Sequence, residues 1–171
     1  RGLGDVYKRQ SSHPGLRFNA YYDASLPDIE ADRDKLHQVF LNLVRNASEA
    51  CPADGRVRVL TRHCAHWELA GTNLDPTRRY ILVSIEDEGP GIPEELRKNI
   101  FKPLFSTKKQ GTGLGLSISF RLVESHGGQL RYQPSERSGA CFQVILPESQ
   151  SESQEENSPN FVYQDLRKEI S

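Results

Sequence analysis

DKLHQVFLNLVRNASEA, residues 34–50, decides the reading of the whole chain. Leu36, Val39, Phe40, Leu43, Val44 and Ala47 recur at helical spacing and form one apolar stripe, so the stretch is an amphipathic helix with one buried face. Cys51-Pro52-Ala53-Asp54-Gly55 stops it, because proline and glycine cannot continue the helical ladder. Outward from this helix the chain alternates. Residues 16–22 read as a strand and 26–32 as a linker. Residues 57–61 and 80–86 read as two strands of one hairpin, joined by a polar loop longer than most hairpin connections. Residues 114–125 form a second helix closed by Gly127-Gly128, and strands follow near 130–132 and 141–146. Antiparallel strands and a few amphipathic helices need one shared apolar layer, which predicts a two-layer α+β sandwich.

With 171 residues the chain holds one domain plus tails, too little for a complete multi-domain sensor or motor. A net charge of -1 argues against sequence-independent attraction to nucleic acid. The apolar runs are far shorter than the roughly 20 residues of a membrane span. Cys51, Cys64 and Cys141 are odd in number and widely spaced, which disfavours a disulfide framework and fits a reducing cytoplasm. Residues 1–13 are read as a leading segment or scar outside the fold, residues 14–148 as the domain, and residues 149–171 as a disordered acidic tail.

Asn42 and Asn46 lie four residues apart on the first helix and share a face beside the apolar stripe. They read either as ordinary polar helix residues or as neutral oxygen donors suited to Mg²⁺, which takes further ligands from phosphates. Asp87-Glu88-Gly89-Pro90-Gly91-Ile92 follows a strand directly. It reads either as a plain turn or as a carboxylate placed to accept a hydrogen bond from an amino group such as adenine's, with glycines that let a flat base approach. Gly111-Thr112-Gly113-Leu114-Gly115-Leu116 leads into the second helix, where exposed N–H groups and the helix dipole would cradle phosphate. It is neither a Walker A loop nor a Rossmann turn. Upstream, FKPLFSTKK over residues 101–109 carries two aromatics and three cations, a solvated charge run when taken alone.

Taken together, NLVRNASEA, DEGPGIP, IFKPLFSTKKQ and GTGLGLSIS resemble, in order and spacing, the four boxes of the catalytic domain of bacterial two-component sensor histidine kinases. The resemblance covers roughly residues 15–147. It implies a Bergerat ATP-binding fold, a mixed, mostly antiparallel sheet covered by helices on one face, and the long loop and STK lid look most like the nitrogen-regulation kinases. Carried over by position, Asn46 is the Mg²⁺ ligand with Asn42 beside it, and Asp87 reads adenine. Gly89, Gly91 and Ile92 shape the base pocket. Gly111, Thr112, Gly113, Leu114 and Gly115 form the phosphate-facing hinge, and Thr107 and Lys108 contact phosphate from a lid over residues 101–111. Asn46 and Lys108 are the residues expected to serve catalysis. Glu49 and Ala50 stand where many of these kinases carry Lys and Tyr, so Lys108 is expected to meet most of the phosphate charge. Ala140 stands where Thr is usual and receives no role.

The implied reaction transfers the γ-phosphoryl group of ATP to a histidine. None of His13, His37, His63, His66 or His126 has the acceptor context, so the acceptor is expected on a dimerisation domain outside this chain, with a response regulator downstream. Contact with nucleic acid or membrane by this segment is not expected, although the full-length protein could be anchored elsewhere. The alternative is a nucleotide-dependent interaction module, or an ATPase of the same fold without phosphotransfer. His63, Cys64 and His66 form an HCAH run that lacks a fourth metal ligand and reads as strand-end residues, and Trp67 is expected to pack.

Overall fold

The computed structural model describes residues 15–108, 111–135 and 139–149. Along the chain run β1 (Arg17–Tyr22), α1 (Arg33–Ala50), β2 (Arg56–His63), a 3-10 turn (His66–Leu69), β3 (Tyr80–Asp87), α2 (Glu94–Arg97), α3 (Gly115–Ser125), β4 (Gln129–Pro134) and β5 (Ala140–Pro147). The leading segment, Lys109 and all of the acidic tail beyond Ser149 lie outside the described residues.

α1 starts at Asp32, whose side chain accepts the Lys35 amide at 3.1 Å and pairs with the Lys35 ammonium at 3.0 Å. These bonds hold the Asp32 carboxyl below its ordinary value, the backbone bond first. At the other end Pro52 forces Cys51 into an extended conformation, ψ 143°. Every residue of the expected stripe is buried, Leu36, Val39 and Leu43 completely.

That stripe lies on one face of a five-stranded sheet ordered β1-β2-β3-β5-β4. β1 runs parallel to β2 and the other neighbours are antiparallel, so the sheet is mixed and mostly antiparallel. Side chains alternate across a strand, so Ile81, Val83 and Ile85 of β3 enter the main core with Val57 and Val59 of β2 and Phe142, Val144 and Leu146 of β5. The same alternation carries Asp87, opposite Val57, to the end of this face. α3 packs beside α1 and closes with Gly127 in the left-handed region, φ 68°.

The long β2–β3 connection covers part of the opposite face. Leu69 joins Tyr80, Leu82 and Ile145 in a second small cluster. Its anchor is Glu68, a buried carboxylate that receives Arg62 through two bonds of 2.6 and 2.7 Å, while Arg131 donates to the Glu68 carbonyl at 2.8 Å. Trp67, expected to pack, is instead 76% exposed, because the inward positions of the turn are taken by Glu68 and Leu69.

Leu43→Ala should lower unfolding stability by about 2–5 kcal/mol, since the side chain is fully buried and its removal leaves a cavity between α1 and the sheet. Chemical denaturation measures this loss.

Candidate functional site

A cavity of about 830 Å³ opens between α1, the β3–α2 turn and the segment before α3. At one end lies Asp87, 2% exposed at the end of β3. Asp87 Oδ1 accepts the amides of Gly89 at 2.9 Å and Ala140 at 3.2 Å, and these bonds fix the carboxyl group. Burial pushes its pKa up, while the two backbone bonds oppose that shift. Both bonds fall on Oδ1, which leaves Oδ2 to a ligand in the cavity. Ile100, Phe105 and Phe142 supply apolar wall around it.

The turn after β3 is stapled from outside. The Ile92 amide donates to the Tyr132 hydroxyl at 3.3 Å, Arg97 Nε donates to the Ile92 carbonyl at 3.0 Å, and the Arg97 guanidinium lies 5.5 Å from the centre of the Tyr132 ring. Arg97 belongs to α2, a one-turn helix that periodicity alone did not reveal because four residues are too few to show a stripe.

The opposite end is built from α1 and the start of α3. Asn42 Nδ2 donates to Ser119 Oγ of α3 at 3.0 Å, and Arg45 Nη2 donates to Asn42 Oδ1 at 3.3 Å. Gly115 is needed for this approach: a Cβ there would stand 2.3 Å from Asn42 Oδ1. Gly113 holds φ 68°, and a Cβ on it would stand 2.4 Å from the Leu104 carbonyl carbon, so the hinge and the lid segment touch backbone to backbone. Leu114 makes no side-chain cap bond to α3, so the first N–H groups of this 11-residue helix remain open to an anion. On the segment before α3, Lys108 Nζ donates to Asn46 Oδ1 at 3.2 Å and also pairs with Glu49.

Of the expected site residues, Asn42, Asn46, Asp87, Gly91, Ile92, Thr107, Lys108, Gly111, Thr112, Gly113 and Gly115 all line this one cavity. Gly89 and Leu114 do not. Gly89 bonds Asp87 from beneath, and Leu114 is 38% exposed. Phe101 packs on Phe120 and Phe142, with ring centroids 5.2 and 6.5 Å away, which places it against this domain's own core. Leu104 is 76% exposed and holds φ 64°, the one non-glycine residue described in that region. Arg45 and Ser119 escaped sequence reasoning. Arg45 follows Asn42 by three positions and precedes Asn46, a helical spacing that could have flagged it. Among the described residues no three His, Cys, Asp or Glu side chains are placed to hold a metal; His63 Nδ1 faces Glu148 at 2.7 Å and the Cys64 thiol lies against the Ala65 carbonyl.

A sheet with helices on one face, and a cavity that joins a buried carboxylate to a glycine-rich helix start, define the nucleotide-binding class of α+β sandwich. Residues 31–150 match the family model described as histidine kinase-, DNA gyrase B-, and HSP90-like ATPase, and the chain belongs to that family. Within it the chain falls with the catalytic domains of sensor histidine kinases. It is 40% identical over 134 residues to the sensory histidine kinase/phosphatase NtrB of Azospirillum brasilense, covering 77% of this chain and 33% of that protein. The catalytic domain of the histidine kinase ThkA superposes with a TM-score of 0.70 at 32% identity, over 85% of this chain and 88% of that one. A structure of ThkA in complex with the response regulator TrrA matches with a TM-score of 0.65 at 29% identity, over 86% of this chain and 38% of that one. The chain spans about a third of the length of the NtrB relative.

Proposed function

We propose that this chain is the ATP-binding catalytic domain of a sensor histidine kinase, which positions the γ-phosphoryl group of ATP for transfer to a histidine on a dimerisation domain. The observation that carries this reading is the cavity that has Asp87 at one end and Asn46, Lys108 and the start of α3 at the other. Adenine's amino group would donate to Asp87 Oδ2, and Phe105 and Phe142 would keep water from the base. The phosphates would lie against the N–H groups from Gly113 onward and against Lys108. The reaction needs alignment and charge stabilisation more than covalent chemistry from the protein.

Asn46 Oδ1 and the Glu49 carboxylate are hard oxygen donors, a set that fits Mg²⁺ once phosphate oxygens complete it. Asn46 would hold the ion, which neutralises phosphate charge when bound. Position 42 offers no base to a hydrolytic water. Asn42 is an amide, already committed to Ser119 and Arg45, and cannot take a proton. This favours transfer over hydrolysis.

A response regulator would receive the phosphoryl group downstream, as the partnered ThkA structure suggests by analogy. Residues 14–148 are proposed as the working unit, with its place in the cytoplasm; no helix among the described residues is long and apolar enough to cross a membrane.

Incubation with γ-labelled ATP tests the reading. The chain alone should take up no stable label, and a separately supplied cognate dimerisation domain should acquire acid-labile phosphohistidine. Acid-stable label on this chain alone would overturn the assignment, and normal ATP binding without transfer to a verified acceptor would favour the interaction module.

A further inference from the structure

Among the described residues, the charged side chains that line the phosphate end of the cavity are Arg45, Glu49 and Lys108. Glu49 faces both cations. It pairs with the Lys108 ammonium through Oε2, and its Oε1 lies 3.9 Å from Arg45 Nε. The Glu49 and Lys108 side chains are 47% and 44% exposed, so neither is locked in place by packing. Glu49 sits on the last turn of α1 and Lys108 on the lid segment, so their contact ties the lid to the helix across the mouth of the cavity. Lys108 Nζ completes the tie through Asn46 Oδ1.

We infer that Glu49 is a counterion latch: it occupies Lys108 while no polyphosphate is present, and phosphate oxygens must displace it. This rests on the reading of the cavity as an ATP site. Entry of the phosphates is then an ion exchange. Lys108 leaves a carboxylate that carries one charge for a chain of phosphates that carries several, and the stronger field wins. The exchange is feasible because a half-exposed ion pair is weak. Its cost falls on the phosphates alone, since Asp87 and the apolar wall around the base lie at the other end of the cavity. Glu49 therefore sets how much affinity the triphosphate adds to that of the nucleoside, and it holds the lid near α1 in the free protein.

Glu49→Gln in the full chain tests this with two readouts. In the nucleotide-free protein, amide exchange over residues 101–108 should quicken by roughly twofold to fivefold, as expected for loss of one partly exposed ion pair. Affinity for ATP without divalent cations should rise by roughly twofold to fivefold, with adenosine affinity unchanged. Unchanged exchange, or an ATP affinity that stays level or falls, would overturn the latch. If the unaltered protein binds neither adenosine nor ATP, the functional reading fails instead, and the exchange measurement still decides whether Glu49 holds the lid.

Discussion

The Asp87→Asn variant should bind ATP roughly tenfold to a hundredfold more weakly while folding normally, the loss expected when a hydrogen bond to a charged group is removed. Folding survives because the asparagine oxygen can still accept the amides of Gly89 and Ala140, the two bonds that hold Asp87 in place. Its NH₂ group would then take the place of Oδ2 and meet adenine's own donor, so two donors would face each other. Guanine presents a carbonyl at the same position, so the preference for ATP over GTP should shrink or reverse in the variant. Titration calorimetry with both nucleotides reads the two effects, and undiminished ATP affinity would remove Asp87 from the base site.

Asp87 also gives this site a definite pH response. Burial raises its pKa above the ordinary 3.8, so the folded protein holds this proton more firmly than the unfolded chain does. The stability contributed by the neutral form is fully present below the unfolded value and is lost as pH rises through the raised value. Nucleoside binding has the opposite sign. It needs the ionised carboxylate as acceptor and should weaken as pH falls toward the raised value.

Asn46→Asp should reduce phosphotransfer to a supplied acceptor by roughly a hundredfold to a thousandfold, the scale on which removing one positioned electrostatic contact acts. Asn46 stands at the phosphate end, and its oxygen is already engaged by Lys108. A charged carboxylate there would pull the lysine more strongly and repel the phosphates. Adenosine affinity should stay unchanged, because the base contacts proposed at Asp87 lie at the other end of the cavity. Comparing adenosine binding, ATP binding and transfer separates these effects, and unaltered transfer would exclude Asn46 from work on the phosphates.

The sequence by itself determined the parts whose signal is local. The stripe from Leu36 to Ala47 follows helical periodicity, and periodicity alone says which face of α1 is buried, leaving Asn42 and Asn46 at its edge. Gly113 and Gly115 announce a chain turning tightly into a helix, and Asp87 closes an apolar strand whose alternation sends it to the helix side. The tertiary structure decided what depends on partners far along the chain. β1 pairs parallel to β2, and β5 enters between β3 and β4, choices no single strand's pattern contains. Ser119 becomes the anchor of Asn42 only because α3 packs beside α1. Trp67 stays outside because Glu68 and Leu69 hold the inward places beneath it. Lys108, taken alone, belongs to a solvated charge run, and Arg45 drew no reading at all; folding brings both together with Glu49 to one end of one cavity, and only there does their charge have something to act on.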